Sequence, residues 1–204
     1  MKILAIGKNY VNNKVEKSAN KTGQQIIFSK PESSLVTNNK NVPYPSFTKD
    51  LRYEAELVLK IGKAGKNIST QDAIAHIAEI GIGIDFTAKD IFDASREVKG
   101  PWDLGKGFDG AAPISPFKPV SDFKDLNNID FDLKINGKRL QEGNTGLMIY
   151  NFQEIIAFIS QFMTLQSGDL IFTGTPATGT GQIFKYDHIQ ASIEGELLLD
   201  FKMI

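Results

Sequence analysis

The sequence predicts a mainly β (α+β) protein in which many short strands are joined by tight turns and a few helices are added. Short apolar runs recur between clusters of glycine, proline and asparagine, which is typical of strands separated by turns. The chain has 204 residues, of which 41% are hydrophobic and 23% charged, as in an ordinary globular domain. Because no linker-like segment interrupts it, we expect one domain over residues 1–204.

Seven segments have the composition and alternation of strands. They lie near residues 2–6, 25–29, 53–61, 80–85, 130–135, 169–173 and 188–200. Their number indicates that sheets, rather than helices, build most of the core.

A first helix is predicted from Thr70 to Glu79. Ser69 is its expected N-cap, Asp72 its capping-box partner, and Gly81 its stop.

A second helix is predicted from Phe152 to about Met163. Asn151 is the expected N-cap, with Glu154 at the third helical position. Apolar residues repeat along this segment at helical spacing, so we expect one face to pack against the core or a partner subunit.

The overall charge argues against a nucleic-acid partner. Lys and Arg number 23 against 24 Asp and Glu, and no stretch concentrates the basic residues as binding to a phosphate backbone requires. The first segment, MKILAIGKNY, has too short an apolar run for a signal peptide or a membrane span. We therefore expect a cytoplasmic protein with no membrane partner.

The absence of cysteine restricts the chemistry further. Disulfides, zinc–thiolate sites, iron–sulfur clusters and thiol nucleophiles are excluded, and His76 and His188 are the only histidines. Any bound metal must therefore be held mainly by oxygen.

Two carboxylates share one face of a predicted strand. In RYEAELVLKIG, alternation turns Glu54 and Glu56 to the same side, away from Tyr53, Ala55 and Leu57. Their mutual repulsion falls if a cation lies between them. A Glu-x-Glu pair is also typical of a solvated outer face, so taken alone it leaves both interpretations open.

A third carboxylate ends the apolar run EIGIGID. An acid in that place, here Asp85, is usually ion-paired, caps a helix or binds metal, and the following TAKD also fits a helix cap. Together with Glu54 and Glu56, Asp85 would form an oxygen-only site suited to Mg²⁺ or Mn²⁺, with positions left open for water and substrate.

Two glycine-rich segments carry polar side chains. In WDLGKGFDG, Lys106 lies between two glycines, where the bare backbone permits close approach to a ligand, although loop lysines are usually solvated. In GDLIFTGTPATGTG, backbone amides and the Thr175 hydroxyl could hold a carboxylate, or the segment could be an ordinary turn. Thr180 stands where a nucleotide-binding loop requires lysine, so no nucleotide site is expected.

Seven motifs occur in order along the chain: IGKNY, FSKPESSL, YEAEL, GIDFTAKD, WDLGKGFDGAAPISP, ING and GDLIFTGTP. This combination resembles the fumarylacetoacetate hydrolase family, which includes acylpyruvate hydrolases, oxaloacetate decarboxylases and hydroxyheptadienedioate isomerases. The resemblance covers nearly the whole chain. It implies a mixed β-roll of the family's C-terminal domain type with a few short helices, assembled as a homodimer.

The resemblance also implies roles for single residues. Glu54, Glu56 and Asp85 match the family's metal ligands, for Mg²⁺ or Mn²⁺ with Ca²⁺ as a substitute, while Lys106 and Thr175 match substrate-binding positions. A small-molecule 2-oxo acid would chelate the cation through its carboxylate and oxo oxygens. The metal would stabilise the enolate formed when a C–C bond breaks or a proton moves.

Several positions depart from the family pattern. The loop that reads NYxxHxxE in active hydrolases and decarboxylases reads NYVNNKVE here, with Asn13 in place of the histidine. Asparagine cannot accept a proton at neutral pH, which leaves Glu16 as the candidate base. Lys89 replaces an arginine and is expected to bind substrate as a point charge, and Phe92 stands where a substrate-binding glutamine is common.

We therefore predict a divalent-metal-dependent hydrolase or lyase, with Glu16 and Lys106 as catalytic residues. Its substrate would be a 2-oxo or enol acid of the acylpyruvate, fumarylacetoacetate or oxaloacetate type, and its reaction the cleavage of a C–C bond. Two alternatives stay open. One is a tautomerisation of the 2-hydroxyhepta-2,4-diene-1,7-dioate isomerase type, which needs no activated water, and the other is a catalytically impaired homologue that binds metal and ligand.

Overall fold

The computed structural model describes all 204 residues, as 15 strands, four α-helices and four short 3₁₀ helices. The strands are β1 Ile3–Gly7, β2 Ile26–Lys30, β3 Leu35–Val36, β4 Leu51–Tyr53, β5 Ala55–Ile61, β6 Ile77–Ile84, β7 Thr87–Ala88, β8 Ala112–Pro113, β9 Lys118–Pro119, β10 Asp130–Ile135, β11 Lys138–Asn144, β12 Leu170–Phe172, β13 Gly181–Gln182, β14 His188–Ile193 and β15 Glu196–Lys202. The helices are α1 Glu16–Asn20, α2 Lys89–Glu97, α3 Asp103–Lys106 and α4 Phe152–Phe162. The 3₁₀ helices are Glu32–Ser34, Ala73–His76, Val120–Asp122 and Thr145–Leu147.

These strands form four sheets. The largest has six strands in the order β2-β1-β12-β5-β6-β9, and the second has four in the order β11-β10-β14-β15. Two small sheets, β13-β4-β7 and β3-β8, complete the set. The β1–β12 and β3–β8 pairs are parallel and the other pairs antiparallel, so the predicted mainly β architecture with mixed pairing is confirmed.

Side-chain alternation divides the six-stranded sheet into two buried faces. Leu57 and Leu59 of β5 join the main core of 39 buried residues, which also takes in side chains of the four-stranded sheet and of α4. Val58, between them, belongs to a smaller cluster of seven residues. Glu56 has the parity of Val58, so the predicted separation of Glu54 and Glu56 from Tyr53, Ala55 and Leu57 is confirmed.

Helix α4 follows the sequence prediction closely. The Asn151 side chain accepts from the Glu154 backbone N–H at 3.0 Å, and the Glu154 carboxylate accepts from the Asn151 N–H at 3.0 Å, which completes the capping box. Its apolar face, Phe152, Ile155, Ile156 and Ile159, is buried in the main core.

The helix predicted over Thr70–Glu79 is wrong. The Ser69 hydroxyl does accept from the Asp72 N–H at 3.2 Å, but only a 3₁₀ turn follows before β6 begins. Gly81, expected to end the helix, lies inside β6, where an added Cβ would meet Phe117 and Ser115 at 3.0 Å. Pairing along the length of β5 therefore outweighs the local helical signal.

Other differences concern boundaries and short helices. The strand predicted over 188–200 is a hairpin, β14 and β15, whose turn places Glu194 and Gly195 at φ 50° and 77°. The sequence prediction did not include α1, α2 or α3. The TAKD cap was one interpretation, but α2 begins at Lys89 without a side-chain cap. None of the helices combines the length and the apolar character that crossing a bilayer demands.

Asp169 fastens the parallel pair at the centre of the large sheet. Its buried carboxylate accepts from the Lys2 ammonium at 2.7 Å, the Lys2 backbone N–H at 2.7 Å and the Gln166 N–H at 2.8 Å. Burial would raise the pKa of Asp169, but the hydrogen bonds from Lys2 outweigh burial and hold the pKa below its usual range. Asp169 therefore contributes stability above the ordinary carboxyl pKa, and the contribution is lost as the pH falls through the lowered value.

Asp169→Asn should lower the free energy of unfolding at pH 7 by about 1–3 kcal/mol, because one amide cannot accept all three hydrogen bonds. The difference from the wild type should shrink as the pH falls below about 4, because the carboxyl of the unfolded chain then binds a proton while the folded carboxyl, with its lowered pKa, does so only at still lower pH. Urea denaturation at several pH values measures both effects, with the exposed Asp122→Asn as control. A loss of stability that did not depend on pH would contradict the assigned role of the carboxylate charge.

Candidate active site

The register of β5 and β6 brings the three predicted metal ligands together. Glu56 is paired with Gly83, and the Asp85 N–H donates to the Glu54 carbonyl at 2.8 Å, so Asp85 lies across from Glu54. One carboxylate oxygen from each of the three residues lies within 4.8 Å of the others. Glu56 and Asp85 are buried and Glu54 partly so, which excludes the solvated outer face. We call Glu54, Glu56 and Asp85 the carboxylate triad.

The Lys106 ammonium bridges two members of the triad. It lies 2.6 Å from Asp85 Oδ2 and 2.9 Å from Glu54 Oε2. Lys106 ends helix α3 rather than lying in a loop, and its glycine neighbours serve packing. A Cβ at Gly105 would come within 2.8 Å of Phe92 Cα, and a Cβ at Gly107 within 2.9 Å of Pro31. Only glycine therefore lets α3 lie directly on α2.

A second lysine, from the FSKPESSL motif, holds Asp85 from the opposite side of its carboxylate. Lys30 is fully buried, with its Nζ 2.6 Å from Asp85 Oδ1. The same ammonium donates to the backbone carbonyls of Phe86 at 3.3 Å and Ala111 at 3.1 Å, and to that of Lys106. Each Asp85 oxygen thus faces its own ammonium group, which fixes the plane of the carboxylate. Asp85 is therefore ion-paired rather than a helix cap.

Charge is not balanced within this cluster. Burial would raise the pKa of Asp85, but the Lys106 and Lys30 ammonium groups outweigh it and hold the pKa below its usual value. Burial, followed by the charges of Asp85 and Glu54, raises the pKa of Glu56 well above its usual value. With all groups ionised, three carboxylates face two ammonium groups, which leaves one negative charge in excess in a buried place.

Glu56 is also tied to the loop that follows β12. The Gly174 N–H donates to Glu56 Oε2 at 2.7 Å. Gly174 has a φ of 99°, and an added Cβ would lie 2.7 Å from Asn9 Cβ, so this position requires glycine. The buried Asn9 of the IGKNY motif donates to the carbonyls of Thr173 at 2.9 Å and Tyr150 at 3.0 Å. Two of the sequence motifs thereby meet behind the triad.

The orientation of the Thr175 hydroxyl is set by Gln141. Gln141 Nε2 donates to Thr175 Oγ1 at 2.9 Å and to the Gly179 carbonyl at 2.7 Å, while its Oε1 accepts from the Ala55 N–H at 2.9 Å. Because Thr175 Oγ1 accepts this bond, its own proton is free to be donated to a ligand. Gln141 is buried, and links the strand of the triad to the Thr175 loop.

These groups face a cavity of about 620 Å³, a size typical of small-molecule sites. Its lining includes the triad and, among the predicted substrate-binding residues, Lys106, Thr175 and Lys89. The Lys89 ammonium forms an ion pair with Asp93, one turn along α2. The predicted metal ligands and substrate-binding residues are therefore gathered at one place.

Glu16, the predicted base, is not among the residues that line the cavity. It begins helix α1, and its carboxylate accepts from Asn13 Nδ2 at 2.6 Å and from the Asn12 N–H at 3.3 Å. Asn20, at the other end of the same helix, does line the cavity. Asn13 and Glu16 are therefore hydrogen-bonded to each other, but at the edge of the site.

Tyr10 adds a polar group that the sequence did not indicate. It lines the cavity, is 7% exposed, and its hydroxyl has no hydrogen-bond partner. Burial, and next the charge of Glu56, raise the pKa of Tyr10, so the hydroxyl stays protonated. The Tyr10 hydroxyl is thus a buried donor beside the triad that is available to a polar ligand.

The residues present fit a hard divalent cation. The triad offers only carboxylate oxygens, the donors that Mg²⁺ and Mn²⁺ favour. Burial is the main cause of the raised pKa of Glu56, and a cation would offset the second cause, the negative charges of Asp85 and Glu54. Three protein ligands leave coordination positions for other molecules. Both histidines lie elsewhere, with His76 bonded to the Lys63 carbonyl and His188 to Asp200.

The sequence did not indicate the roles of Lys30, Gln141 and Tyr10, for different reasons. Lys30 and Tyr10 fall within motifs that were noted, but nothing in those motifs states which distant groups they contact. Gln141 carries only the weak signal of a polar residue at an inward position of β11, opposite Leu133.

Comparison with known proteins agrees with this geometry. Residues 2–199 match the fumarylacetoacetate (FAA) hydrolase C-terminal family. The chain is 35% identical over 201 residues to the mitochondrial oxaloacetate tautomerase FAHD1 of Bos taurus, and the alignment covers 98% of this chain and 90% of that relative. It is 35% identical over 195 residues to the mitochondrial oxaloacetate decarboxylase of Dictyostelium discoideum, and the alignment covers 95% of this chain and 89% of that relative.

A solved structure gives the same result at the level of the fold. The fumarylpyruvate hydrolase of Pseudomonas aeruginosa, in complex with Mn²⁺ and pyruvate, superposes with a TM-score of 0.88 and 29% identity over 100% of this chain and 90% of that one. Sequence and fold thus agree along nearly the whole length, and the chain belongs to the fumarylacetoacetate hydrolase C-terminal family.

Proposed function

We propose that this protein is a Mg²⁺- or Mn²⁺-dependent enzyme that cleaves a C–C bond in a small 2-oxo or enol acid of the acylpyruvate, fumarylacetoacetate or oxaloacetate type. The observation that carries the proposal is the carboxylate triad, within 4.8 Å, bridged by a buried lysine at the wall of a cavity. The names of its relatives, oxaloacetate tautomerase, oxaloacetate decarboxylase and fumarylpyruvate hydrolase, support the substrate class. We propose further that it acts in the cytoplasm as a homodimer, and light scattering of the purified protein tests the dimeric state.

Glu54, Glu56 and Asp85 would hold the cation. When bound, it would supply Lewis-acid polarisation of the carboxylate and oxo oxygens of a 2-oxo acid. The Lys30–Asp85 ion pair keeps one ligand carboxylate in place whether or not the cation is bound.

Lys106 supplies a fixed positive charge rather than a base. Burial would lower the pKa of Lys106, but the charges of Asp85 and Glu54 outweigh it and raise the pKa, so the ammonium stays protonated at neutral pH. It can attract the substrate carboxylate and offset negative charge that develops as a C–C bond breaks. The Thr175 proton, left free by Gln141, and the Lys89 ammonium would orient the same anionic groups.

Glu16 would accept the proton of an attacking water. Its carboxylate lies at the edge of the site, so this role requires helix α1 to move toward the cavity that Asn20 already lines. Asn13 can only hydrogen-bond to Glu16 and cannot share the proton, which makes Glu16 a weaker base than a histidine–glutamate pair.

The position of Glu16 at the edge of the site favours a second function, tautomerisation of an enol acid. Neither Asn13 nor Glu16 lines the cavity, and movement of a proton within the substrate requires no activated water. A change in ultraviolet absorbance of an enol substrate without a cleavage product would distinguish it.

The metal site is tested by thermal unfolding. At about 100 times its Kd, Mn²⁺ should stabilise the wild type by about 2.7 kcal/mol, which corresponds to roughly 5–10 °C for a chain of this size. Glu56→Gln should abolish this shift, while its metal-free melting temperature should equal or exceed that of the wild type because a buried charge is removed. The exposed Glu196→Gln is the control and should keep the shift. If Mn²⁺ still raised the melting temperature of Glu56→Gln by the full amount, the cation would have to bind somewhere other than the triad.

Activity is tested with acylpyruvates, oxaloacetate and fumarylacetoacetate in the presence of Mg²⁺. Lys106→Met should lower kcat/KM by about 100-fold or more, because the compensating charge is lost. Asn13→His should raise turnover by roughly tenfold or more, since it restores a proton acceptor beside Glu16. The adjacent, exposed Asn12→His is the matched control and should change little.

The outcomes separate the candidate functions. No gain from Asn13→His would argue against water activation by the Glu16 loop and favour tautomerisation. Binding of pyruvate with metal but turnover of no substrate by any variant would indicate a homologue that binds its ligand without catalysis.

A further inference from the structure

One side of the cavity is formed by three aromatic rings. The Phe28 and Trp102 ring centroids lie 5.6 Å apart, and those of Phe92 and Trp102 lie 5.1 Å apart, with interplanar angles of 63° and 59°. All three residues line the cavity and all are partly exposed. We call Phe28, Phe92 and Trp102 the aromatic wall.

The local structure shows why the rings meet there. Lys89, Phe92 and Arg96 are spaced three and four residues apart on α2, so they share one helical face, and all three line the cavity. The close approach of Gly105 to Phe92 sets α3 against α2 and brings in Trp102, which precedes α3. Phe28 comes from β2, the edge strand of the large sheet.

The wall is not part of the hydrophobic core. Phe92 and Trp102 belong to neither core cluster, and Phe28 packs only at the margin of the smaller one. The ring surface that faces the cavity is not covered by any other part of the protein. It is what a flat apolar group of a ligand would cover.

The wall begins beside the reacting position. Lys106 Nζ, which is 2.6 Å from Asp85, lies 5.2 Å from the Phe28 ring centroid and 6.0 Å from that of Phe92. If a 2-oxo acid is held at the triad, the acyl group at the other end of the molecule would therefore lie within reach of these rings. Toward the exposed end of the wall, the Arg96 guanidinium lies 5.7 Å from the Phe92 centroid.

Five cations line the cavity, and three of them are paired with carboxylates. Lys106 binds Glu54 and Asp85, Lys89 is paired with Asp93, and Arg52 binds Asp50 at 2.6 Å. Lys8 and Arg96 also line the cavity and make no salt bridge, so they could meet a second carboxylate, but a small dicarboxylate would leave the rings of the aromatic wall uncovered.

We infer that the aromatic wall is the acyl-group subsite, and that the preferred substrate is a 2-oxo acid with a flat, conjugated, apolar acyl group of the aroylpyruvate class. The inference rests on the proposed function, because the triad must hold the 2-oxo acid end. Phe92 and Phe28 thus determine specificity through ring contact, and neither takes part in bond cleavage.

The single tryptophan of the chain, Trp102, is a built-in reporter. The full-length protein with Mg²⁺ is titrated with pyruvate and with phenylpyruvate, with Trp102 fluorescence and calorimetry as readouts. Phenylpyruvate should bind about 10-fold more tightly than pyruvate and should change the Trp102 emission more. Phe92→Leu and, separately, Phe28→Leu should lower this affinity ratio about 3- to 10-fold. Phe162→Leu, an exposed ring on α4 outside the cavity, is the control and should keep the ratio.

Each outcome has a distinct meaning. Equal affinity for the two acids, or a ratio that neither Phe92→Leu nor Phe28→Leu changes in folded protein, would overturn the acyl subsite while the proposed function stands. Binding of neither acid in the presence of Mg²⁺ would overturn both. A higher kcat/KM for benzoylpyruvate than for acetylpyruvate, reversed by Phe92→Leu, would support the subsite through the reaction itself.

Discussion

The site is governed by an excess of negative charge that is buried between two paired strands. Three carboxylates meet within 4.8 Å, and two lysines from distant parts of the chain offset only part of their charge. Both ammonium groups face Asp85 and hold its pKa below the usual value. Glu56 is buried and receives only a backbone N–H, and its pKa is raised well above the usual value. A buried cluster of like charges destabilises the fold unless a cation neutralises it, so metal binding would explain why the cluster is present.

Most of the surrounding structure holds that cluster in place. The β5–β6 register sets Asp85 across from Glu54, and β12 runs alongside β5 so that the Gly174 loop reaches Glu56. Glycines at 105 and 107 let α3 lie close to α2 and to Pro31, and this packing brings Lys106 next to the triad. The triad and Lys106 therefore lie on or beside paired strands and a packed helix, while Glu16, which lies on a short helix with no buried residue, is the least firmly placed.

The sequence predicted the parts of this arrangement that depend on local pattern. Alternation was enough to separate Glu54 and Glu56 from Tyr53, Ala55 and Leu57, and the capping box was enough to begin α4 at Phe152. Lys30 could not be predicted, because a lysine ending an edge strand is ordinarily solvated, and its burial depends on carbonyls of residues 86, 106 and 111. The helix expected over 70–79 failed for a related reason, since pairing with β5 decides the conformation of β6.

The most direct measurement is a crystal structure of the protein soaked with Mn²⁺ and oxalate, with anomalous scattering used to locate the metal. A single peak about 2.0–2.3 Å from oxygens of Glu54, Glu56 and Asp85, with oxalate in the remaining coordination positions, is the expected result. A triad that stays free of metal while Mn²⁺ binds elsewhere, or carboxylates that turn apart toward solvent, would contradict it.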